Sequence, residues 1–194
     1  DGLRIMRALR FSATLGFKIE EETAKAIHRN KDLLRNISAE RIAIELTKLI
    51  CGKNAFNILM EYPDVLSVFI PEIESAVNFT QYGEKHAYDV WEHICHTVDT
   101  IPQDRILRLT MLLHDLGKVP THSLNEKGDS TFKNHATVGG EMAKEILTRL
   151  KLDKKTINRV AFLVGCHDFE PPETKIDLKH HLKTKTPEDI RTLL

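Results

Sequence analysis

The sequence predicts an all-α protein, and three observations carry this prediction. Apolar residues recur at three- and four-residue spacing over most of the 194 residues, which is the period of helices that bury one face. Glycine and proline stand between the periodic stretches, at positions where helices commonly begin or end. No stretch alternates apolar and polar residues over a length that would build a sheet.

The front half of the chain is predicted to form five helices. They are expected over residues 1–16, 21–29, 38–52, 54–61 and 63–69. Gly16 and Gly52 follow the last apolar positions of the first and third helix, where glycine ends helices. Ser38 is a suitable N-cap for the third helix, and Pro63 is suited to the first position of the fifth.

A second helical set follows residues 72–86, which are predicted to be irregular. These residues are expected to separate a domain of residues 1–72 from a domain of residues 80–194. Helices are predicted over residues 88–100, 105–117, 135–152 and 155–167. Gly117 is expected to close the second of these in a left-handed conformation. The polar loop from Val119 to Lys133 has the composition of a turn or a short hairpin.

Composition points to an ordinary globular protein in the cytoplasm. Apolar residues make up 41% and charged residues 29% of the chain, with a net charge of zero. Residues 1–55 nevertheless carry 11 Lys and Arg against 7 Asp and Glu, an excess compatible with a polyanionic partner. Three scattered cysteines indicate reduced thiols. No signal peptide, membrane-length apolar run or lipidation motif is present, so no membrane partner is expected.

Both ends of the sequence are expected to be cut from a longer chain. Apolar periodicity already begins at Leu3, with no capping residue ahead of it. Near the other end, Thr186-Pro187-Glu188-Asp189 combines an N-cap, a proline at the first position and acids in the first turn. The helix that this run predicts has little room before Leu194, so we expect a fragment.

A histidine-aspartate pair after an apolar helix is the first sign of chemistry. Leu112 and Leu113 run directly into His114-Asp115, and a carboxylate at a helix C-terminus is unfavourable unless a cation lies nearby. The pair alone is also compatible with a surface turn. Further histidines and one more aspartate lie on neighbouring predicted helices: His93, His135 and His167-Asp168. Mixed imidazole and carboxylate ligands suit Mn, Fe, Ni, Co or Zn ions and, less well, Mg.

The order His, His-Asp, Asp resembles the HD superfamily of metal-dependent phosphohydrolases. The run His114-Asp115-Leu116-Gly117-Lys118 and the stretch from His135 to Gly139 both resemble its signatures. The resemblance implies a divalent metal ion (Mn, Ni, Co, Fe or Mg) held by a set of four residues: His93, His114, Asp115 and Asp168. It also implies catalytic roles for Asp115, Lys118 and His135, with the last two facing a phosphate. Whether His135 and His167 add a second metal stays open.

The front segment is similar to the neck of bacterial-type (class II) tRNA nucleotidyltransferases, the CCA-adding enzymes, and their poly(A) polymerase relatives. The run DGLRIMRALRF, followed by LGF, carries this similarity, together with SAER, YDVWEH and FKNH further along. The resemblance implies that Asp1 and Arg4 hydrogen-bond the base edge of CTP or ATP, and that Arg7 and Arg10 contact tRNA. From spacing alone, Asp1 and Arg4 could equally be a helix-surface ion pair.

Three functional hypotheses remain open at this point. The first is the neck and HD portion of a CCA-adding enzyme whose HD domain hydrolyses phosphoesters such as 2′,3′-cyclic phosphates or nucleotides. The second makes the same portion a non-catalytic tRNA-binding body, and the third is a free-standing HD nucleotidase or phosphodiesterase. The strand-borne Asp-x-Asp with a preceding Gly-Ser that such transferases use is missing from the sequence. We therefore expect no nucleotide addition by this chain alone.

Overall fold

The computed structural model describes residues 1–83 and 87–168, and these residues are mostly helical. The front half contains α1 (Leu3–Leu15), α2 (Glu21–Arg29), α3 (Ala39–Ile50), α4 (Ala55–Glu61), α5 (Pro63–Leu66) and α6 (Glu72–Ala76), with a 3-10 turn over Lys31–Asn36. The predicted all-α class is confirmed. The helix start predicted at Thr186 lies outside the described residues.

The second half contains five helices in its described part, together with one hairpin. They are α7 (Val90–Thr100), α8 (Arg105–Leu113), α9 (Lys118–Thr121), β1 (His122–Leu124), β2 (Ser130–Phe132), α10 (His135–Arg149) and α11 (Lys154–Gly165). The strands pair antiparallel, with Ser123 opposite Thr131. No helix among residues 1–83 and 87–168 is long and apolar enough to cross a lipid bilayer.

Some sequence predictions differ from the structure. Residues 72–86 are not irregular throughout, because α6 occupies Glu72–Ala76. Helix α8 ends at Leu113 rather than at Gly117. Gly117 has φ −66° and ψ −15°, so the prediction of a left-handed conformation is wrong. This glycine is required for another reason, which is the close approach of a neighbouring helix described below.

The two halves of the chain share one hydrophobic core. The indole Nε1 of Trp91 donates to the carbonyl oxygen of Leu59 at 3.2 Å. The buried guanidinium of Arg108 donates to the carbonyl oxygen of Ile50 at 3.1 Å. Two ion pairs also link residues 1–76 to α10 and the residues after it: Arg149 with Glu72 at 2.8 Å and Lys151 with Glu40 at 3.0 Å. The second half is therefore held against the first by both apolar and polar contacts, and the division at residues 72–80 stays a prediction.

A small charge cluster joins α2 to α5. The Asp64 carboxylate lies 2.9 Å from both His28 Nδ1 and Lys31 Nζ. Burial on its own would raise the pKa of this carboxyl, but the hydrogen bonds from Lys31 and His28 outweigh burial and hold the pKa below its ordinary value. The ionised carboxylate therefore stabilises the fold.

We expect Asp64→Asn to lower the free energy of unfolding by at most about 1 kcal/mol at neutral pH, because the pair is partly exposed. A depressed pKa contributes stability above the unfolded value of about 4, and this contribution disappears as pH falls through the folded value. Urea unfolding at pH 7 and in steps below pH 4 measures it. The control is Asp32→Asn, which removes a more exposed partner of Arg35. An undiminished Asp64 effect at the lowest pH would contradict this account.

Candidate metal centre

The buried carboxylate of Asp115 is the centre of a cluster of imidazoles. Asp115 is only 1% exposed and follows the C-terminal end of α8. Its Oδ2 lies 3.3 Å from His93 Nε2, on α7, and 3.2 Å from His114 Nε2. Its Oδ1 lies 3.5 Å from His135 Nε2, at the start of α10, and 3.3 Å from His167 Nε2, just after α11. Four ring nitrogens thus converge on one carboxylate.

The orientation of three rings is fixed by hydrogen bonds from Nδ1, the ring nitrogen that does not face Asp115. Each donates from Nδ1 to the carbonyl oxygen three residues earlier, at 2.8 Å for His114, 2.8 Å for His135 and 2.7 Å for His167. Because a carbonyl oxygen only accepts, Nδ1 carries the proton in each neutral ring and Nε2 carries the lone pair. This arrangement, in which the outer nitrogen is bonded to the backbone, is typical of histidines that ligate metals.

The ligand atoms form two overlapping groups. His93, His114 and Asp115 offer ligand atoms that all lie within 4.8 Å of one another, and Asp115, His135 and His167 do the same. Asp115 belongs to both groups, through one oxygen for each. The donor set of imidazole nitrogens and carboxylate oxygens suits a divalent ion of the first transition series. The residues would hold one ion in either group, or one ion in each.

The electrostatics of Asp115 also fit a cation. Burial would raise the pKa of this carboxyl, but His114, His167 and Lys118 hold the pKa far below its ordinary value. Burial lowers the pKa of His167, whereas the nearby Asp115 carboxylate raises it above its ordinary value. Asp115 Oδ1 is buried and accepts no hydrogen bond from the described residues. A buried, charged oxygen without such a donor is costly, and a metal ion would satisfy it.

Asp168, a predicted ligand, lies beside the two histidines of the second group. Its carboxylate oxygens are 3.3 Å from His135 Nε2 and 3.4 Å from His167 Nε2. Its side chain is 57% exposed, so it stands at the mouth of the site. The other predicted ligands, His93 and His114, face the opposite oxygen of Asp115.

Lys118, which is predicted to face a phosphate, lies beside the Asp115 carboxylate. Its ammonium Nζ lies 2.7 Å from Asp115 Oδ2, and the side chain is only 12% exposed. Nζ also lies 5.2 Å from the centre of the Phe132 ring, on β2. A second contact, a hydrogen bond from Nζ to Gln81 Oε1 at 3.1 Å, was not predicted, because an isolated glutamine in an irregular segment gives no sequence signal.

Close glycine packing brings His135, the first residue of α10, to Asp115. A Cβ on Gly117 would lie 2.3 Å from the carbonyl oxygen of His135 and 2.7 Å from the amide nitrogen of Gly139. A Cβ on Gly139 would lie 3.1 Å from the carbonyl oxygen of His114. The turn after α8 therefore touches the start of α10 backbone to backbone, which places His135 next to Asp115.

Three of the predicted nucleotide and RNA residues, Arg4, Arg7 and Arg10, lie on α1, and Asp1 precedes this helix. Asp1 Oδ1 accepts a hydrogen bond from the Leu3 amide at 3.1 Å, at the start of the helix, and Arg4 is exposed. Arg7 and Arg10 both face the buried carboxylate of Glu45 on α3, at 3.7 and 3.1 Å. The Arg7 side chain remains 51% exposed, whereas that of Arg10 is 17% exposed. The spacing of residues in the sequence does not indicate this role for Glu45.

Comparison with known families agrees with the fold and with the site. The HD domain family matches residues 83–192, which include every residue of the imidazole cluster. The chain belongs to the HD domain family. A second family, described as the probable RNA and SrmB-binding site of polymerase A, matches residues 16–77.

The relatives of the chain include tRNA nucleotidyltransferases. It is 34% identical over 192 residues to the CC-adding tRNA nucleotidyltransferase of Thermus thermophilus, covering 92% of this chain and 44% of that protein. It is 32% identical over 188 residues to the A-adding tRNA nucleotidyltransferase of Deinococcus radiodurans, covering 89% and 42%. A CCA-adding enzyme of Bacillus pumilus is 53% identical over 116 residues, covering 56% and 29%. The resemblance to a segment of bacterial-type CCA-adding enzymes is confirmed, and the chain spans less than half the length of these relatives.

Proposed function

We propose that the HD domain of this chain is a divalent-metal-dependent phosphohydrolase within a tRNA nucleotidyltransferase. The observation that carries this proposal is the convergence of four imidazole Nε2 atoms on the two oxygens of the buried Asp115. A structural site would enclose its ion with four ligands, whereas a catalytic one keeps a position open. Here the side chains of His93 and Asp168 are 38% and 57% exposed, so the cluster opens to solvent.

The predicted ligands divide between two positions around Asp115. His93 and His114 with one oxygen of Asp115 would hold one ion, and His135 and His167 with the other oxygen would hold a second or contact the substrate. Asp168, whose carboxylate lies beside both of these histidines, would support the second position as a further ligand. A divalent ion bound here would polarise a phosphoryl oxygen and make a bound water more acidic. Lys118 adds a positive charge for a phosphate oxygen, since its ammonium is nearly buried beside Asp115.

We propose small phosphoesters, either 2′,3′-cyclic phosphates or nucleotides, as the substrate class. The support is chemical: a centre rich in histidine with one adjacent lysine suits a phosphoryl group that carries one or two negative charges. His135 is 12% exposed and lies close to Phe132 and Asp168, so it can donate to an oxygen of the phosphoryl group once its lone pair is protonated.

The test is hydrolysis of 2′,3′-cyclic AMP and p-nitrophenyl phosphate by the chain treated with chelator and then resupplied with Mn, Ni, Co, Fe or Mg. We expect activity that returns only with metal. Calorimetric titration of the same ions measures binding independently of turnover. Metal binding without hydrolysis of either ester would favour a non-catalytic tRNA-binding body. If the chain neither binds these ions nor hydrolyses either ester, the proposal is overturned.

We further propose that residues 1–72 form the neck of the parent enzyme and contact tRNA, and that Asp1 and Arg4 face the base of CTP or ATP. The match to an RNA-binding family over residues 16–77 and the exposed guanidinium groups of α1 support this role. Work on tRNA would place the protein in the cytoplasm. Arg7 is exposed enough to reach a phosphate while Glu45 steadies it, whereas Arg10 is more engaged with Glu45 and with the Phe11 ring, 4.0 Å away.

Affinity for tRNA is expected to fall as salt rises, because each phosphate contact releases counterions. We expect Arg7→Gln to lower the salt slope by about one, the amount due to one contact. Fluorescence anisotropy with labelled tRNA over a range of KCl concentrations measures both quantities. Lys127→Gln, in the exposed hairpin turn, is the matched control and should leave the slope unchanged. A salt-independent affinity would contradict phosphate contacts altogether.

A further inference from the structure

Gln81 connects the segment between the two halves of the chain to the candidate metal centre. Gln81 is buried, with only 7% of the residue exposed to solvent. The Oε1 atom accepts a hydrogen bond from Lys118 Nζ at 3.1 Å. The Nε2 atom donates to the carbonyl oxygen of Tyr88 at 3.1 Å, just before α7, the helix that carries His93. Both ends of this buried amide are therefore used.

We propose that Gln81 is a positioning residue that holds the Lys118 ammonium beside the phosphoryl site. The proposal rests on the function proposed above for Lys118. An ammonium has three N–H donors, and in this structure one reaches Asp115 and another reaches Gln81. No acceptor for the third is found among residues 1–83 and 87–168, so this donor would be available to a phosphoryl oxygen.

The neutrality of the amide is central to this role. Lys118 Nζ contacts the same oxygen of Asp115 that His93 and His114 face. A cation bound to that oxygen would repel the ammonium, since like charges at short distance in a buried site are costly. Gln81 supplies a second acceptor that keeps the ammonium in place. Because the amide carries no charge, it does not cancel the charge that a phosphate would meet.

Hydrogen bonds of the neighbouring residue also hold the segment around Gln81 in place. Its neighbour Tyr82 exchanges backbone and side-chain hydrogen bonds with Ser130 of β2: the Tyr82 amide donates to Ser130 Oγ, and the Ser130 amide donates to the Tyr82 carbonyl oxygen, both at 2.8 Å. The connector thus extends the edge of the hairpin that also carries Phe132. The backbone of the residue next to Gln81 is thus anchored, in addition to the Gln81 side chain.

Gln81→Met tests the proposal, because methionine has a similar volume but cannot accept this hydrogen bond. We expect kcat/KM for 2′,3′-cyclic AMP to fall by about tenfold, the usual effect of losing a hydrogen bond to a charged group. In a Lys118→Met background, Gln81→Met should have no further effect. A purely structural role would lower kcat/KM by the same factor in both backgrounds. Gln103→Met, at an exposed glutamine, is the matched control.

A second measurement does not depend on hydrolysis. The side-chain NMR signal of Lys118, in chelator-treated protein labelled at lysine and assigned with Lys118→Met, should move in Gln81→Met and stay in Gln103→Met. If Lys118 shifts but wild-type protein hydrolyses no ester, the proposed hydrolase function fails while the positioning of Lys118 by Gln81 stands. An unmoved Lys118 signal in folded Gln81→Met, or equal losses of kcat/KM in both backgrounds, would overturn the inference.

Discussion

Replacing Asp115 by asparagine is expected to abolish metal binding and phosphoester hydrolysis together. Each oxygen of this carboxylate faces a different pair of imidazole nitrogens, so a single substitution affects both candidate positions. Asparagine keeps the shape of the side chain but loses its charge and one of its two oxygens. We expect affinity for Mn to fall by at least about 100-fold and hydrolysis by roughly a thousandfold.

Calorimetry of chelator-treated protein and hydrolysis of 2′,3′-cyclic AMP measure these two losses. Asp99→Asn is the matched control, since Asp99 is an exposed aspartate near the end of α7, and it should bind metal as wild type does. Circular dichroism of both variants verifies that the fold is kept. Full activity in a folded Asp115→Asn protein would remove Asp115 from the reaction and place the chemistry elsewhere.

The helices and the identity of the chemical groups could be predicted from the sequence, because both are local. Apolar spacing predicted α1, α2 and α3 closely, and the order of His93, His114-Asp115 and Asp168 resembled a known signature. The sequence could not predict that each oxygen of the Asp115 carboxylate faces a different pair of histidines. This arrangement depends on the directions in which four helix ends present their nitrogens, and chain order holds no such information.

Two further features needed the packing of distant segments. Gln81 comes from an irregular connector, and only the fold brings its amide to Lys118. Glu45 lies on α3, and only the packing of α3 on α1 turns it toward Arg7 and Arg10. In each case the residue type is common and its spacing carries no pattern. The groups that do chemistry can therefore be predicted from the sequence more readily than the groups that position them.

Gly117→Ala is expected to separate Asp115 from His135, although Gly117 contacts no substrate. The backbone of Gly117 is in the ordinary right-handed region, so alanine causes no strain of its own there. The new Cβ would lie 2.3 Å from the carbonyl oxygen of His135 and 2.7 Å from the amide nitrogen of Gly139. Both atoms belong to the backbone at the N-terminal end of α10, so either α10 or the turn that contains Gly117 must move.

Displacing α10 from Gly117 is expected both to destabilise the protein and to move His135 away from Asp115. Overpacking of a tight contact costs about 1–3 kcal/mol, measurable by urea unfolding, and the second histidine group should lose metal affinity. Gly165→Ala, in α11, is the matched control because its Cβ would come no closer than 4.0 Å to other atoms. There alanine should be neutral or slightly stabilising, as expected for a helical position. Equal stability and metal affinity in Gly117→Ala and Gly165→Ala would show that close backbone contact does not build this site.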